Sequence, residues 1–163
     1  MGFGTPLSRV RRSTAVTTLS ANNTTASVVM FTLTGSVILH RLWGVVTTVI
    51  GANHTAGHCR LNDQTATVDI SSSTGITLSG LAVGTLITRN SAAAAALALD
   101  SNAVGAITDT TASQEYFTPI ALIKKTGAVT TLDYRYSTTD APTSGAITWY
   151  AEWEPLSADG NLA

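Results

Sequence analysis

The chain has 163 residues, of which 44% are hydrophobic and only 12% are charged, with a formal net charge of −1. The length suits one domain, and the charged fraction is about half of the roughly 25% usual for soluble domains. This composition excludes a disordered chain, and the net charge argues neither for nor against nucleic-acid binding. A weakly charged surface rich in Thr, Ala, Ser and Gly is better suited to a protein whose neighbours cover it.

The single cysteine, Cys59, excludes an intramolecular disulfide and indicates synthesis in a reducing cytoplasm. The first residues contain no apolar segment followed by a cleavage site, so we expect no signal peptide. No run of 18 apolar residues occurs, so we expect no membrane span.

An N-terminal arm is predicted over residues 1–13, where Arg9, Arg11 and Arg12 form the one local excess of charge. Such a run is either a solvated basic arm or an arm that docks on an acidic partner surface. Three arginines are too few for a DNA-binding tail, so we expect no specific nucleic-acid partner. The three arginines are therefore candidate partner-contact residues.

The first half of the chain predicts β-strands almost throughout, because β-branched residues alternate with turn signals. These strands are expected at residues 13–19, 27–34, 37–50, 58–62, 65–71, 76–81 and 85–89. Tight turns are predicted at Gly35 and at 63–64, and a bend or bulge near Gly44, because 14 residues exceed the usual strand.

Three strands are predicted in the second half, at residues 116–124, 129–137 and 146–155. Pro119 indicates an edge or a bulge, and residues 125–127 a hairpin turn. Residues 91–100 are ambiguous, since alanine favours helix whereas every flanking segment favours strand; we expect strand or loop here.

The last strand shows the clearest alternation in the chain. Large apolar side chains share one of its faces: Ile147, Trp149, Ala151 and Trp153. Polar or amphipathic side chains share the other: Thr148, Tyr150, Glu152 and Glu154. This pattern is typical of a sheet with one buried face, so both tryptophans are predicted to be core residues rather than a ligand platform.

Together, these elements predict an all-β fold: a β-sandwich, jelly-roll-like or β-barrel single domain with an extended N-terminal arm. The expected organisation is an arm at 1–13, a β-domain at 14–157 and a C-terminal tail at 158–163.

The histidines offer a possible metal-binding pattern. His54, His58 and Cys59 form H-x-x-x-H-C, with Asp63 the nearest acid. On a helix this spacing would place both imidazoles on one face, but Gly57 indicates a loop that enters a strand. His40 lies in an apolar strand and is interpreted as a packing residue. We predict no metal site and no cofactor.

Catalytic candidates are few. Glu152 and Glu154 share a strand face, as paired acids for acid–base chemistry would, but this pattern is more often a solvated face that discourages aggregation. The chain has no nucleophile elbow, phosphate-binding loop or dinucleotide fingerprint. We predict that the protein is not an enzyme.

Three segments carry a resemblance: residues 26–39 (ASVVMFTLTGSVIL), 42–50 (LWGVVTTVI) and 145–157 (GAITWYAEWEPLS). Together they resemble a group of small β-rich virion proteins of tailed bacteriophages, which look like head decoration, or cement, proteins. Those proteins carry an early F-T-(V/L)-x-G hairpin, a G-x-V-T-T strand and a closing G-x-I-x-W…P-L. The similarity covers the first third of the chain and the last strand, and excludes residues 51–144 and the arm.

The resemblance implies a capsid decoration protein that binds and stabilises the assembled head, as a homo-oligomer and by analogy a trimer. The implied partner is the major capsid protein or another virion protein, and the implied location is the capsid surface. The alternatives are a neck, tail or head-fibre component, and a carbohydrate-binding module. The latter would need an exposed platform, for which the candidates are Trp43, Tyr134, Tyr136 and Tyr150.

Overall fold

The computed structural model describes residues 11–20, 24–72, 76–89, 97–100, 119–138 and 144–163. These residues form two antiparallel β-sheets packed against each other, and include no helix. In chain order the strands are β1 (Arg11–Thr18), β2 (Thr25–Leu33), β3 (Val37–Thr48), β4 (His54–Asn62), β5 (Thr67–Asp69), β6 (Leu86–Thr88), β7 (Ala98–Asp100), β8 (Ile120–Leu122), β9 (Thr130–Thr138) and β10 (Ala146–Pro155).

One sheet has six strands in the order β1-β10-β3-β6-β7, with β8 also paired to β3. The other has four, in the order β2-β9-β4-β5. The predicted all-β sandwich is confirmed, and the closed-barrel alternative is wrong, because the described part of each sheet ends in edge strands.

The strand pairs are nested along the chain. β1 pairs with β10, β2 with β9, β3 with β6 and β8, and β4 with β5, and successive nested pairs alternate between the two sheets. This is the jelly-roll-like way of folding one long antiparallel ribbon into two sheets. It brings residues from both ends of the chain side by side, so β1 and β10 are neighbours in one sheet.

The hairpin turn predicted at residues 125–127 is wrong, and the tight turn predicted at Gly35 also connects two sheets. The turn at Gly35 joins β2 to β3, and residues 125–127 join β8 to β9, yet each pair of strands lies in different sheets. Both turns are corners of the sandwich rather than hairpins. The predicted strand pair around 63–64 is a true hairpin of β4 and β5.

The core lies between the sheets and is centred on β10. Ile147, Trp149 and Ala151 are 0% exposed and Trp153 is 2% exposed, which confirms the face predicted from alternation. The two indole N–H groups donate to hydroxyls of β1, Trp149 to Thr17 at 3.0 Å and Trp153 to Ser13 at 2.9 Å. These bonds satisfy the polar atoms of the buried rings and hold the edge strand in place.

Gly44 was predicted to mark a bend or bulge, but in the structure it serves close packing between strands. A Cβ atom there would lie 2.7 Å from Ile147 Cγ2 and 2.9 Å from Trp149 Cε3, so the glycine makes room for the indole. The pairing of β3 with β10 is irregular at two other positions, His40 and Thr47, which have no partner residue on β10 in this register. Among residues 91–100, the backbone of β7 at Ala98–Asp100 fits the strand expectation, and 91–96 lie outside the described residues.

The C-terminal residues lie against the sandwich edge. Leu162 is 1% exposed, forms an isolated bridge with Leu33 of β2, and accepts a hydrogen bond at its carbonyl oxygen from Ser13 Oγ. The predicted tail therefore fills the gap between the edges formed by β1 and β2. Arg11 to Ser13, assigned to the arm from sequence, form the start of β1, and residues 1–10 lie outside the described residues.

Candidate functional site

The outer face of the six-stranded sheet brings together residues that the sequence singled out separately. In the register of β1, β10 and β3, Arg12 lies opposite Glu152, which lies opposite Arg41, and Tyr150 lies opposite Trp43. We call the cluster of Arg12, Arg41, Trp43, Tyr150 and Glu152 the Trp43 face. The members on β3 and β10 alternate with buried side chains, and Arg12 is exposed on β1 opposite Glu152, so all of them point away from the core.

Two aromatic rings form the centre of the Trp43 face. Trp43 and Tyr150 stack with ring centroids 5.4 Å apart and an interplanar angle of 16°. Both are half-buried. Directly opposite side chains on neighbouring antiparallel strands approach closely, and aromatic cross-strand pairs stabilise a sheet. The stack therefore follows from the register of β3 and β10, and it presents a conformationally restricted, partly apolar surface.

Charged groups surround the stack. Arg12 Nη2 donates to Glu152 Oε1 at 2.6 Å, and Arg41 Nε lies 3.9 Å from Glu152 Oε2. The Arg12 guanidinium carbon also lies 5.6 Å from the centroid of the Trp43 ring, within cation–π range. One recessed carboxylate thus positions two arginines, one of them over the indole.

The other predicted partner-contact residues lie elsewhere. Arg11 is on the opposite side of β1 from Arg12, and its guanidinium covers Trp153 at 5.3 Å from the ring centroid. Arg9 lies outside the described residues. Glu154 faces outward next to the Trp43 face, with its Oε1 3.4 Å from His40 Nε2.

The predicted carbohydrate platform is divided by the sandwich. Tyr134 is 0% exposed and Tyr136 1% exposed, and both rings pack in the core on β9, whereas Trp43 and Tyr150 lie on the outer face of the other sheet. In addition, the Trp43–Tyr150 stack occupies one face of each of those rings. The four aromatics therefore do not form one binding surface.

The H-x-x-x-H-C pattern is split between the two faces of β4. His54 is 0% exposed and stacks on Tyr136 at 4.8 Å, with its Nε2 3.3 Å from the Tyr134 hydroxyl oxygen. Burial lowers the pKa of His54 from 6.5 to about 4. Cys59 also faces the core, where burial raises the pKa of its thiol.

His58 points the other way, with Nδ1 2.7 Å from the carbonyl oxygen of Ala56 and Nε2 3.6 Å from Asp69 Oδ1. Asp63 closes the β4–β5 turn and pairs with Lys125 Nζ at 2.9 Å. No group of three or more His, Cys, Asp or Glu side chains in the described part of the chain is placed to hold a metal ion.

The outer face of the four-stranded sheet carries a row of three charged residues that the sequence did not indicate, and one of them, Asp133, is buried. Arg60 pairs across the strands with Asp69 on one side and Asp133 on the other. Asp133 is only 2% exposed; its Oδ2 accepts from Asn62 Nδ2 at 2.9 Å and from Ser27 Oγ at 3.1 Å. Its place between the core residues Leu132 and Tyr134 on β9 puts its side chain on the outer face, but no local sequence signal indicates that it is buried there.

A shallow polar cleft of about 320 Å³ lies where the two sandwich corners meet the C-terminal turn. Its lysine, Lys124, donates from Nζ to the carbonyl oxygens of Lys125 and Ala128, and its acid, Asp159, accepts from Ser157 Oγ at 2.6 Å. These polar groups hold turns in place, so the cleft is a weaker candidate site than the Trp43 face.

Comparisons with known proteins add no relative. No protein-family model matches the chain, and neither does any curated protein or solved structure. No helix among the described residues is both long and apolar enough to cross a membrane.

Proposed function

We propose that this chain is a structural protein of a tailed-phage virion, and specifically a capsid decoration protein that binds the assembled head. The proposal starts from the resemblance of residues 26–39, 42–50 and 145–157 to small β-rich virion proteins. Those segments contain most of β3 and all of β10, the two central strands of the Trp43 face. Double-sheet jelly rolls occur in viral capsid proteins and in lectins, so the fold is compatible with this role but does not decide it.

The observation that carries the proposal is the composition of the Trp43 face. Tryptophan, tyrosine and arginine are the residues enriched at the energetic centres of protein interfaces. Here one tryptophan, one tyrosine and two arginines meet on a sheet of paired strands, held by a 2.6 Å ion pair and a ring stack. Such a preorganised surface loses little side-chain entropy on binding.

A decoration protein acts by mass action. It binds the assembled shell and not the dissociated subunits, so its binding free energy adds to the stability of the shell. The proposed partner is the major capsid protein, and the proposed state of the free protein is a homo-oligomer, by analogy a trimer. This function needs a rigid binding surface and no catalytic site, so we propose a non-enzymatic role on the outside of the capsid.

A neck, tail or head-fibre component would use the same kind of surface and differs only in location on the particle. A carbohydrate-binding module is less well supported, because two of its four candidate aromatics are buried in the core. Glycan binding that Trp43→Ala abolishes would revive it.

The direct test is co-sedimentation of the purified protein with phage heads that lack it, alongside light scattering of the free protein. We expect saturable binding, with a copy number that matches a class of icosahedral sites. A stable free oligomer that does not bind heads but binds tails or necks would replace decoration by the alternative virion location. Binding to no virion part would refute the virion proposal.

A further inference from the structure

We infer that the Trp43 face is the docking surface of this protein and that it fits an acidic, partly apolar protein surface. The inference rests on the proposed function for the identity of the particle. It goes further by naming the face that docks and the chemistry of the surface that receives it.

The exposed charge of the Trp43 face is positive. The side chains of Arg12 and Arg41 are 62% and 72% exposed, whereas that of Glu152 is 21% exposed. Glu154, just beyond the face, is 20% exposed and lies beside His40. The carboxylates are recessed and the guanidinium groups reach solvent, so an approaching partner meets the arginines first. A chain with a net charge of −1 thus presents a locally basic surface.

The arginines are held in a geometry that suits carboxylates. Arg12 gives one N–H to Glu152, and the ring of Trp43 lies beneath its guanidinium. A guanidinium has five N–H donors in a planar fork, so an exposed group keeps donors for a second acceptor. Two-point pairing of this fork with a carboxylate is among the stronger charged contacts in proteins.

Two valines lie on the other side of the aromatic stack from the charged groups. Val16 of β1 is 65% exposed and Val45 of β3 is half-buried; they flank Thr148 of β10 in the cross-strand row next to the Trp43–Tyr150 stack. The row supplies apolar area that a partner can cover, while the arginines fix orientation. This mixture favours a protein surface over nucleic acid, since two arginines are a small phosphate footprint and Glu152 lies between them.

The opposite face of the sandwich provides a contrast. On the four-stranded sheet Asp69 Oδ1 lies 3.6 Å from His58 Nε2, and Arg60 Nε lies 4.0 Å from Asp133 Oδ2. The side chains of Arg60 and Asp133 are 13% and 2% exposed. Their charges are largely hidden from a partner. Among the described residues, the outer face of the four-stranded sheet also carries Arg135, which is only partly exposed. The Trp43 face instead presents two well-exposed guanidinium groups beside aromatic rings.

The test compares Arg12→Ser/Arg41→Ser with wild type in binding to heads that lack this protein, over a series of salt concentrations. Lys125→Ser is the matched control, because Lys125 is an exposed cation, paired with Asp63, that lies outside the Trp43 face. Thermal unfolding of each variant checks the fold, and Arg41→Ser alone is a second variant, since its arginine makes only a 3.9 Å contact.

We expect the double variant to bind at least about tenfold more weakly and with a shallower salt dependence, and Lys125→Ser to bind as wild type. Equal binding by wild type and the double variant would overturn this inference and leave the proposed function standing. Failure of wild type to bind heads or any other virion part would overturn both. Tight binding of wild type to duplex DNA, lost in the double variant, would overturn the choice of a protein partner.

Discussion

The two sheets of the sandwich treat ionisable groups in opposite ways. The four-stranded sheet buries them on both sides, with His54 and Cys59 toward the core and His58 and Asp133 on the outer face. Among the described side chains of the six-stranded sheet, no strand buries an ionisable acid or base. Arg12 and Arg41 are exposed to solvent on its outer face, and Trp149 and Trp153 fill its inner face.

This difference assigns fold stability to the four-stranded sheet and partner binding to the outer face of the six-stranded sheet. Buried charges are costly unless paired, so the four-stranded sheet makes the fold sensitive to pH and to polar substitutions. Exposed arginines contribute little to folding and keep their interaction capacity for a partner. The account therefore predicts that substitutions on the four-stranded sheet and in the core change stability, whereas those on the Trp43 face change binding.

The largest expected effect compares two tryptophans on opposite faces of one sheet. Trp149→Ala should lower the free energy of unfolding by about 3–5 kcal/mol, because it removes a fully buried ring and leaves a cavity. Trp43→Ala should cost about 1 kcal/mol, because that ring is half-buried. Chemical denaturation measures both. Equal costs would contradict the assignment of Trp149 to folding and of Trp43 to binding.

The next effect is a loss of stability in acid that depends on His54. Burial holds the pKa of His54 at about 4 in the folded state, against 6.5 when unfolded. The unfolded chain therefore binds the proton more tightly, and stability falls as the pH drops from 6.5 toward 4. The full loss is about 3 kcal/mol, since each pKa unit is worth about 1.4 kcal/mol.

His54→Phe keeps a flat ring against Tyr136 and removes the titrating group. The difference in unfolding free energy between pH 7 and pH 4 should therefore be smaller in this variant than in wild type. An unchanged difference would mean that other groups, and not His54, cause the acid sensitivity of the fold.

A smaller effect compares carboxylates on the two outer faces. Asp133→Ala removes the acceptor for Asn62 and Ser27 and leaves Arg60 without its buried counterion, at a cost of about 2 kcal/mol. Glu152→Ala breaks a pair whose arginine is 62% exposed, and should cost below about 1 kcal/mol. If denaturation shows that Glu152→Ala costs more stability than Asp133→Ala, then the Trp43 face, rather than the outer face of the four-stranded sheet, serves to stabilise the fold.

The smallest expected loss of stability concerns the side-chain hydrogen bond from Trp149 of β10 to Thr17 of β1. Thr17→Val keeps the size of the side chain but removes the acceptor of the Trp149 indole N–H, 3.0 Å away. The cost should be about 1 kcal/mol, the usual result of leaving one buried donor unsatisfied. Thr14→Val, on the exposed side of the same strand, is the control and should leave the midpoint of denaturation nearly unchanged.

Local sequence patterns predicted the features that depend on a single strand or hairpin. They failed for features that depend on how strands distant in the sequence are arranged in the two sheets. The alternation at 146–154 predicted the buried face of β10, and turn residues predicted the β4–β5 hairpin. Residues 125–127 were wrongly interpreted as a hairpin turn, because the same turn residues also form corners between two sheets.

The candidate site shows the same limit. Arg12, Trp43, Tyr150 and Glu152 were each singled out in the sequence, but their meeting depends on the register of three strands that are far apart in the chain. Arg41 was missed, although its position two residues before Trp43 places it on the same outward side of β3. Asp133 was missed because its burial depends on neighbours from other strands.

The central claim is that the Trp43 face, and not the opposite face, meets the particle. The single native cysteine, Cys59, is 0% exposed, so an engineered surface cysteine can be labelled selectively. Thr14→Cys marks the outer face of the six-stranded sheet, and Thr67→Cys that of the four-stranded sheet. The measurement is the rate of maleimide labelling of each variant, free and bound to heads that lack the native protein. The account predicts that head binding slows labelling at Thr14→Cys and leaves Thr67→Cys unchanged; protection of Thr67→Cys alone, or of neither, would contradict it.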